Sequence, residues 1–429
     1  MNPSIKAIMR KLISVLCIVT IGITHLCAQD VLKMYIDSAK SKSPLIKDNQ
    51  NQSKASDIEL QRLKVLLTKA QTAFSANILF SPVVSHDGST KLELNSNGAD
   101  KYYGFDLSQT NGGLYQGLFT YTQPLFGEKK YEVFARQIEV SKQMNQNAVK
   151  LTEHEIEKLV TDQYILCQLD RKQIDFADSM LHLLSDQASV IQKLAVNNLL
   201  KQTDVTLLKI EAENTRNQLL TFRSIYKRDL TDLNLISGIT DTTTIELPEL
   251  FIGLHNDKVV SSNYDEKFKI DSLGLITNQQ SFEVKYKPQV NFFTNAGLNA
   301  VYVPQILNRL GFSAGLSLSW TINDGHQKEL MQKKTNIQLR TVSAYKENFT
   351  VQNNIRKNKY ITELQSYDGR RDNLKKQLAE YQNLLDLYKK EILQGQLSVI
   401  NYLTVVKTMM AVKRDLILLD TNSLLLTNA

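Results

Sequence analysis

From Leu310 onward, residues 309–322 alternate without a fault. Leu310, Phe312, Ala314, Leu316, Leu318, Trp320 and Ile322 are apolar, while Gly311, Ser313, Gly315, Ser317, Ser319 and Thr321 are small or polar. A period of two predicts a strand with one apolar face and one small, polar face. Residues 289–302 repeat the pattern. Val290, Phe292, Ala296, Leu298, Ala300 and Tyr302 fall on one side, and Gln289, Asn291, Asn295 and Asn299 on the other; Phe293 and Thr294 are exceptions. Two earlier segments are less regular. Residues 113–123 place Tyr115, Phe119 and Tyr121 on one face, and residues 72–83 alternate Phe74, Ile78 and Phe80 with Ser75, Asn77 and Ser81. Apart from Arg309, at the start of the most regular run, no Asp, Glu, Lys or Arg falls within these segments. A half-buried strand in water usually carries charge on its wet face. Strands this long, apolar outward and small-polar inward, fit the wall of a transmembrane β-barrel. An antiparallel sandwich sheet in a periplasmic protein is the other arrangement with this pattern.

Elsewhere the period changes to that of a helix. From Glu128 to Ser237 there is neither glycine nor proline over 110 residues, and residues 326–429 hold only Gly369 and Gly395. Apolar residues recur there three and four apart, as in Leu374, Leu378, Tyr381, Leu385 and Tyr388, on a rather polar background. Such helices are half-buried, as in coiled coils. Each stretch reads as an antiparallel pair. The outgoing helices cover roughly 128–195 and 326–392, and each could reach about 100 Å at ~1.5 Å per residue. The first pair turns near Val196-Asn197-Asn198, with Asp204 available to cap the returning helix. The second turns near Leu393-Gln394-Gly395-Gln396, with Ser398 as its cap.

The two halves match. Gly117 and Gly127 bracket a strand that ends in Gln123-Pro124-Leu125-Phe126, and Gly315 and Gly325 bracket its counterpart, ending in Asn323-Asp324. Pro124, Gly127 and Gly325 are the expected strand-to-helix bends. The predicted organisation is a first repeat over 29–237 (helix, hairpin 72–126, helical pair 128–237), a linker or equatorial segment over 238–266, and a second repeat over 267–429 (helix, hairpin 288–322, helical pair 326–425). The long polar segment 84–112 and the short segment 303–308 are the hairpin loops.

Composition narrows the class. Hydrophobic residues make up 42% and charged residues 22%, so the chain is not broadly disordered. A mean hydropathy of −0.26 excludes a polytopic helical membrane protein. The net charge of +7 is small for 429 residues and is no nucleic-acid signature. At the N-terminus, Lys6, Arg10 and Lys11 precede an apolar run from Leu12 to Ile23, then His25-Leu26-Cys27-Ala28. This is the form of a secretory signal peptide over residues 1–28. Its removal takes away three positive charges, leaving +4, and takes Cys17 and Cys27 with it. Only Cys167 then remains, so no intrachain disulfide can form.

Four strands cannot close a barrel. In lipid, two open edges leave rows of N–H and C=O groups unpaired, at several kcal/mol each. Copies of the chain must complete the wall. Two copies supply eight strands around a filled interior; three supply twelve, wide enough for a passage. The small residues Ser313, Gly315, Ser317, Ser319 and Thr321 favour three copies, with these residues lining the lumen. Phe312, Leu316 and Leu318 then face lipid, and Trp320 and Tyr302 belong to an aromatic girdle.

The signal peptide, the duplicated hairpin-and-helix plan, the Gln123-Pro124-Leu125-Phe126 bend and its Asn323-Asp324-Gly325 counterpart resemble TolC-type outer-membrane efflux proteins over about residues 31–425. The resemblance implies an α+β membrane protein: a homotrimer with a twelve-stranded barrel continued by a periplasmic α-helical barrel. It also implies docking to a periplasmic adaptor and an inner-membrane RND or ABC transporter. Its entrance would lie at the helix turns, at Thr203, Asp204, Gly395, Gln396, Asn401 and Thr404. Here the sequence departs from the family: Leu397 stands where an arginine is typical, and Asn401 and Thr404 where aspartates form a ring. An Arg–Asp gate is therefore not expected.

Glu153, His154 and Glu157 share a helix segment, but a solvated face explains them better than a metal site. No phosphate-cradling loop, Ser/His/Asp context or Cys/His cluster is present. The reading is a passive outer-membrane exit duct for small molecules or polypeptides, not an enzyme and without a cofactor. A soluble periplasmic helical-hairpin adaptor or scaffold is the alternative.

Overall fold

A computed structural model describes residues 29–85, 93–95, 101–103, 113–197, 200–253, 262–301, 307–394, 396 and 398–429. The expected signal peptide, Tyr302, Gly395 and Leu397 lie outside the described residues. The chain divides into two compact units. Among the described residues, one is built from those within 29–48, 148–262 and 347–429, the other from those within 49–147 and 263–346.

Long helices form where breakers are missing. A first helix, α1 (29–42), stops at Ser43, and α2 (Pro44–Thr68) starts on proline, whose missing N–H is harmless in a first turn. The longest, α3 (Gly127–Val196), has 70 residues; α4 (Gln202–Ile236) returns from it. After α5 (Asn263–Glu283) and a short 3-10 turn, α6 (Gln327–Leu393) runs for 67 residues and α7 (Val399–Thr427) returns. Ser398 caps α7 as expected, its hydroxyl accepting from the Ile400 N–H at 3.3 Å. The cap of α4 differs from expectation. Lys201 occupies that position without a side-chain bond, and Asp204 sits in the first turn, where its carboxylate favours the helix N-terminus electrostatically.

In the helical unit the core has two clusters. One gathers Tyr35, Val160, Tyr164, Leu230 and Leu233, closed over by Leu247 and Leu250. These last two belong to 238–266, the segment read from the sequence as a linker or equatorial segment. Residues 239–253 have no regular structure, yet they are strapped onto α3 and α4: the Tyr164 hydroxyl and the Gln168 amide donate to the Pro248 carbonyl (2.8 and 2.6 Å), and the Tyr226 hydroxyl to that of Ile245 (2.5 Å). Lys172 pairs with Glu249, and Arg171 with Glu246. From Asn263 the chain is already α5. The second cluster joins the ends of all four long helices through Leu184, Ile191, Val205, Leu208, Ile392, Val399 and Tyr402.

The other unit holds a four-stranded antiparallel sheet of order β1-β5-β6-β7: β1 (Gln71–Phe80), β5 (Gly113–Leu125), β6 (Gln289–Ala300) and β7 (Leu310–Ser319). The segment 84–112 is not wholly a loop. Short strands β2 (Val83–Ser85), β3 (Glu93–Asn95) and β4 (Tyr102–Tyr103) make a second sheet, of order β3-β2-β4.

Candidate functional site

The two hairpins are zipped into one wall by β5 and β6, whose register runs from Tyr115 opposite Ala300 to Leu125 opposite Val290. This pairing fixes which residues share a face. Phe74 lies opposite Phe119, Phe119 opposite Ala296, and Ala296 opposite Phe312. Two rows further along the same face, past Tyr121, Thr294 and Ala314, Gln123, Phe292 and Leu316 line up. Alternation in all four strands therefore converges on a single apolar face that contains Phe312, Leu316 and Leu318. In the single chain that face is bare: Ile78 is 84% exposed, Phe312 89% and Leu316 69%.

The opposite face carries Ser313, Gly315, Ser317 and Ser319 together with Asn291, Asn295 and Asn299. Polar side chains bridge its strands, Asn295 donating to Ser313 (3.4 Å) and Gln116 to Asn299 (3.2 Å). The sequence exception Phe293 also belongs here, directly opposite Gly315. A Cβ at Gly315 would come within 2.9 Å of its ring, so the glycine makes room for the aromatic on a face that is mostly small or polar but also carries Leu79, Leu114 and Leu118. Trp320, Thr321 and Ile322 lie beyond the end of β7 rather than within it. Trp320 is 57% exposed, and its indole N–H donates to the Tyr286 carbonyl at 3.2 Å.

The bends are built differently from the expectation. Pro124 is still in β5, opposite Asn291 and past the last residue that pairs with β1. The turn itself falls on Phe126, a non-glycine residue with φ 60°, followed at once by α3. In the second repeat His326 (φ 68°) stands in the same place before α6. Both pay conformational strain at a strand-to-helix junction. Gly127 and Gly325 are needed for unlike reasons. A Cβ on Gly127 would lie 1.8 Å from the Leu67 carbonyl oxygen, whereas Gly325 has open space around it but φ 61°. Asp324 closes that bend by accepting from the backbone N–H of His326 (2.9 Å) and Lys328 (2.8 Å).

At the helix turns, Thr203, Gln396, Asn401 and Thr404 are exposed and Asp204 is half-buried. The Thr404 hydroxyl donates to its own helix, to Ile400 O at 2.9 Å. Among the described residues no side-chain hydrogen bond joins these five to one another. What holds the turns together is apolar: Val205 and Leu208 from α4 pack with Val399 and Tyr402 from α7, all fully buried. Burial, then the charge of Asp386, pushes the Tyr402 hydroxyl up to about 12. Among the described residues no His, Cys, Asp and Glu cluster could hold a metal; Glu157 pairs with Lys40 at 3.0 Å. No helix among the described residues is long and apolar enough to cross a membrane.

One acidic contact escaped the sequence reading. Asp170 on α3 is 4% exposed, and its Oδ2 has no hydrogen-bond partner. Burial, then the charge of Asp229 on α4, pushes its carboxyl up to about 7, although Arg228, bonded to Asp229 at 2.7 Å, opposes the rise. A raised acid pKa means the folded chain keeps a proton that the unfolded chain releases above about pH 4. Stability is therefore expected to fall as pH rises from about 4 to about 7 and to level off above. Asp170→Asn is expected to raise the melting temperature at pH 8, by roughly 1–2 kcal/mol of stability, and to change little at pH 4. Thermal melts of the helical circular-dichroism signal at both pH values check this; an equal effect at both would show that Asp170 is already ionised.

No protein-family model and no curated protein matches the sequence. Solved structures do match the fold. The outer membrane protein VceC from Vibrio cholerae is 12% identical, with a TM-score of 0.70 over 94% of this chain and 95% of its own. CusC, described for its conformational changes on folding and transmembrane channel formation, is 10% identical, with a TM-score of 0.69 over 92% and 90%. The open-state outer membrane channel MtrE of Neisseria gonorrhoeae is 10% identical, with a TM-score of 0.65 over 92% and 87%. With its four-stranded wall and its two pairs of long helices, this chain has the fold of the TolC-type outer-membrane channels.

Proposed function

We propose that the chain is one third of an outer-membrane exit duct, a passive conduit with no catalytic step. The observation that carries this reading is the sheet: four antiparallel strands, apolar on one face and mainly small or polar on the other, with both edges unpaired among the described residues. Since the strands alternate in direction, the free edges β1 and β7 run oppositely, so β7 of one copy can continue the antiparallel ladder on β1 of the next. Repeated cyclically, this closes the wall and satisfies every edge group. Three copies supply twelve strands, with the apolar face to lipid and Ser313, Gly315, Ser317 and Ser319 to the lumen. Thr321 continues the lumen-facing row and Trp320 the girdle. The long helices extend the duct into the periplasm, where a periplasmic adaptor and an energised RND or ABC transporter in the inner membrane would supply cargo. The turns at Thr203, Asp204, Gln396, Asn401 and Thr404 form the entrance. Among the described residues no ion pair joins them, so closure there would rest on apolar packing around Tyr402. A lumen lined mainly by uncharged residues, Ser, Gly, Asn and Gln with Leu118 and Phe293 among them, offers little selective chemistry, which leaves selection to the pump.

Fractionation tests the proposal. The protein is expected in the outer-membrane fraction as an oligomer of three that resists dissociation in detergent until heated. Recovery as a soluble periplasmic monomer would overturn it and favour the adaptor reading.

A further inference from the structure

Where the sheet meets the helices, a groove of about 680 Å³ lies between the C-terminal end of α2, the start of α3 and the segment leading into β6. Its floor is apolar. Leu125 and Val290, paired across β5 and β6, are the last members of the apolar face on the two central strands, so the groove continues that face. Leu66, from α2, is 40% exposed, and Phe126, thrown outward by its left-handed backbone, is 78% exposed. The rim has one sign of charge. Lys129, Lys130 and Lys287 line it, and no Asp or Glu does. None of the three makes an ion pair among the described residues; Lys130 reaches only the Gln289 side-chain oxygen, at 3.4 Å.

Two of these lysines stand in the first turn of α3. Cations are disfavoured there, because the free N–H groups and the helix dipole already make that end positive. Glu128, in the same turn, offsets one charge but does not line the groove. An apolar trough under a cationic rim complements an anion with a hydrocarbon tail. A free phosphate would leave the trough bare, and a neutral amphiphile would leave the lysines unmatched.

We infer that this groove is a binding site for an anionic glycerophospholipid of the periplasmic leaflet, its phosphate held by Lys129, Lys130 and Lys287 and one acyl chain laid along Leu66, Leu125, Phe126 and Val290. The inference rests on the proposed function, which sets the strand-to-helix junction at the membrane's periplasmic interface. A site there would fasten each subunit to the lipid at the level where strand becomes helix, and basic pockets at that depth select acidic headgroups.

The test uses the full-length oligomer extracted from membranes, stripped of lipid and returned to detergent. Phosphatidylglycerol, phosphatidylcholine and inorganic phosphate are titrated separately, and binding is read by native mass spectrometry and by the shift in melting temperature. Phosphatidylglycerol is expected to bind up to one site per subunit, and phosphatidylcholine and phosphate far more weakly. Lys129→Gln, Lys130→Gln and Lys287→Gln together are expected to weaken that binding about a hundredfold, roughly fivefold per lysine. The single Lys287→Gln variant, at an exposed position outside the helices, serves should the triple variant not assemble. Equal binding of both lipids, or unchanged binding in the lysine variants, would overturn the inference and leave the duct standing. Recovery of the wild-type chain as a soluble periplasmic monomer would overturn both.

Discussion

Gly297→Ala is expected to prevent the two hairpins from joining. Gly297 lies on β6 opposite Leu118 of β5, with φ 150°, and a Cβ there would stand 2.1 Å from the Gly117 carbonyl oxygen. The obstacle is backbone in a central strand pair, so no side chain can rotate away to relieve it. The cost is expected at about 3 kcal/mol or more, the range of overpacking combined with a forbidden backbone conformation. Its cross-strand partner on the other side is also glycine. Gly311 has nothing within 4 Å, so Gly311→Ala is expected to be nearly neutral. The measurement is the yield of folded, heat-dissociable oligomer for the two variants. Equal yields would mean that β5 and β6 do not approach as closely as described.

Leu316→Arg and Ser317→Arg should differ as sharply, though they are adjacent. Leu316 shares the apolar face with Phe292 and Phe312; Ser317 faces the other way, opposite Asn291. If the apolar face meets lipid, an arginine at 316 costs about 2–4 kcal/mol per subunit near the midplane of the bilayer, repeated around the ring. Leu316→Arg is then expected to abolish membrane assembly, while Ser317→Arg assembles and alters single-channel conductance in planar bilayers. Equal loss of assembly would point to a sheet buried on both sides. The pair is informative because neither side chain is buried in the single chain: with Leu316 69% exposed, only the surroundings of the assembled protein can make the substitutions unequal.

The periodic part of this molecule is legible in its residues. Alternation from Leu310 to Ser319 dictates a two-faced strand, and the absence of glycine and proline over 128–237 dictates helices as long as α3 and α4, because strand pleat and helical repeat are local properties of consecutive residues. Ser398 as a cap is legible for the same reason, acting two residues along its own chain. Phe126 and His326 gave no such signal, since a left-handed bend usually announces itself by glycine or asparagine.

What depends on distant residues was decided only in three dimensions. No local pattern says that β5 pairs with β6, whose partners from Leu125–Val290 to Tyr115–Ala300 are 165 to 185 residues apart, and yet that pairing alone puts the aromatics of one hairpin on the same face as the leucines of the other. The same holds for Gly127 under the Leu67 carbonyl, for Asp170 against Asp229, and for three lysines around one apolar groove. Sequence periodicity encodes which way each side chain points along its own element. Register, close backbone approach and shared electrostatics arise between elements, where the spacing of residues along the chain carries no information.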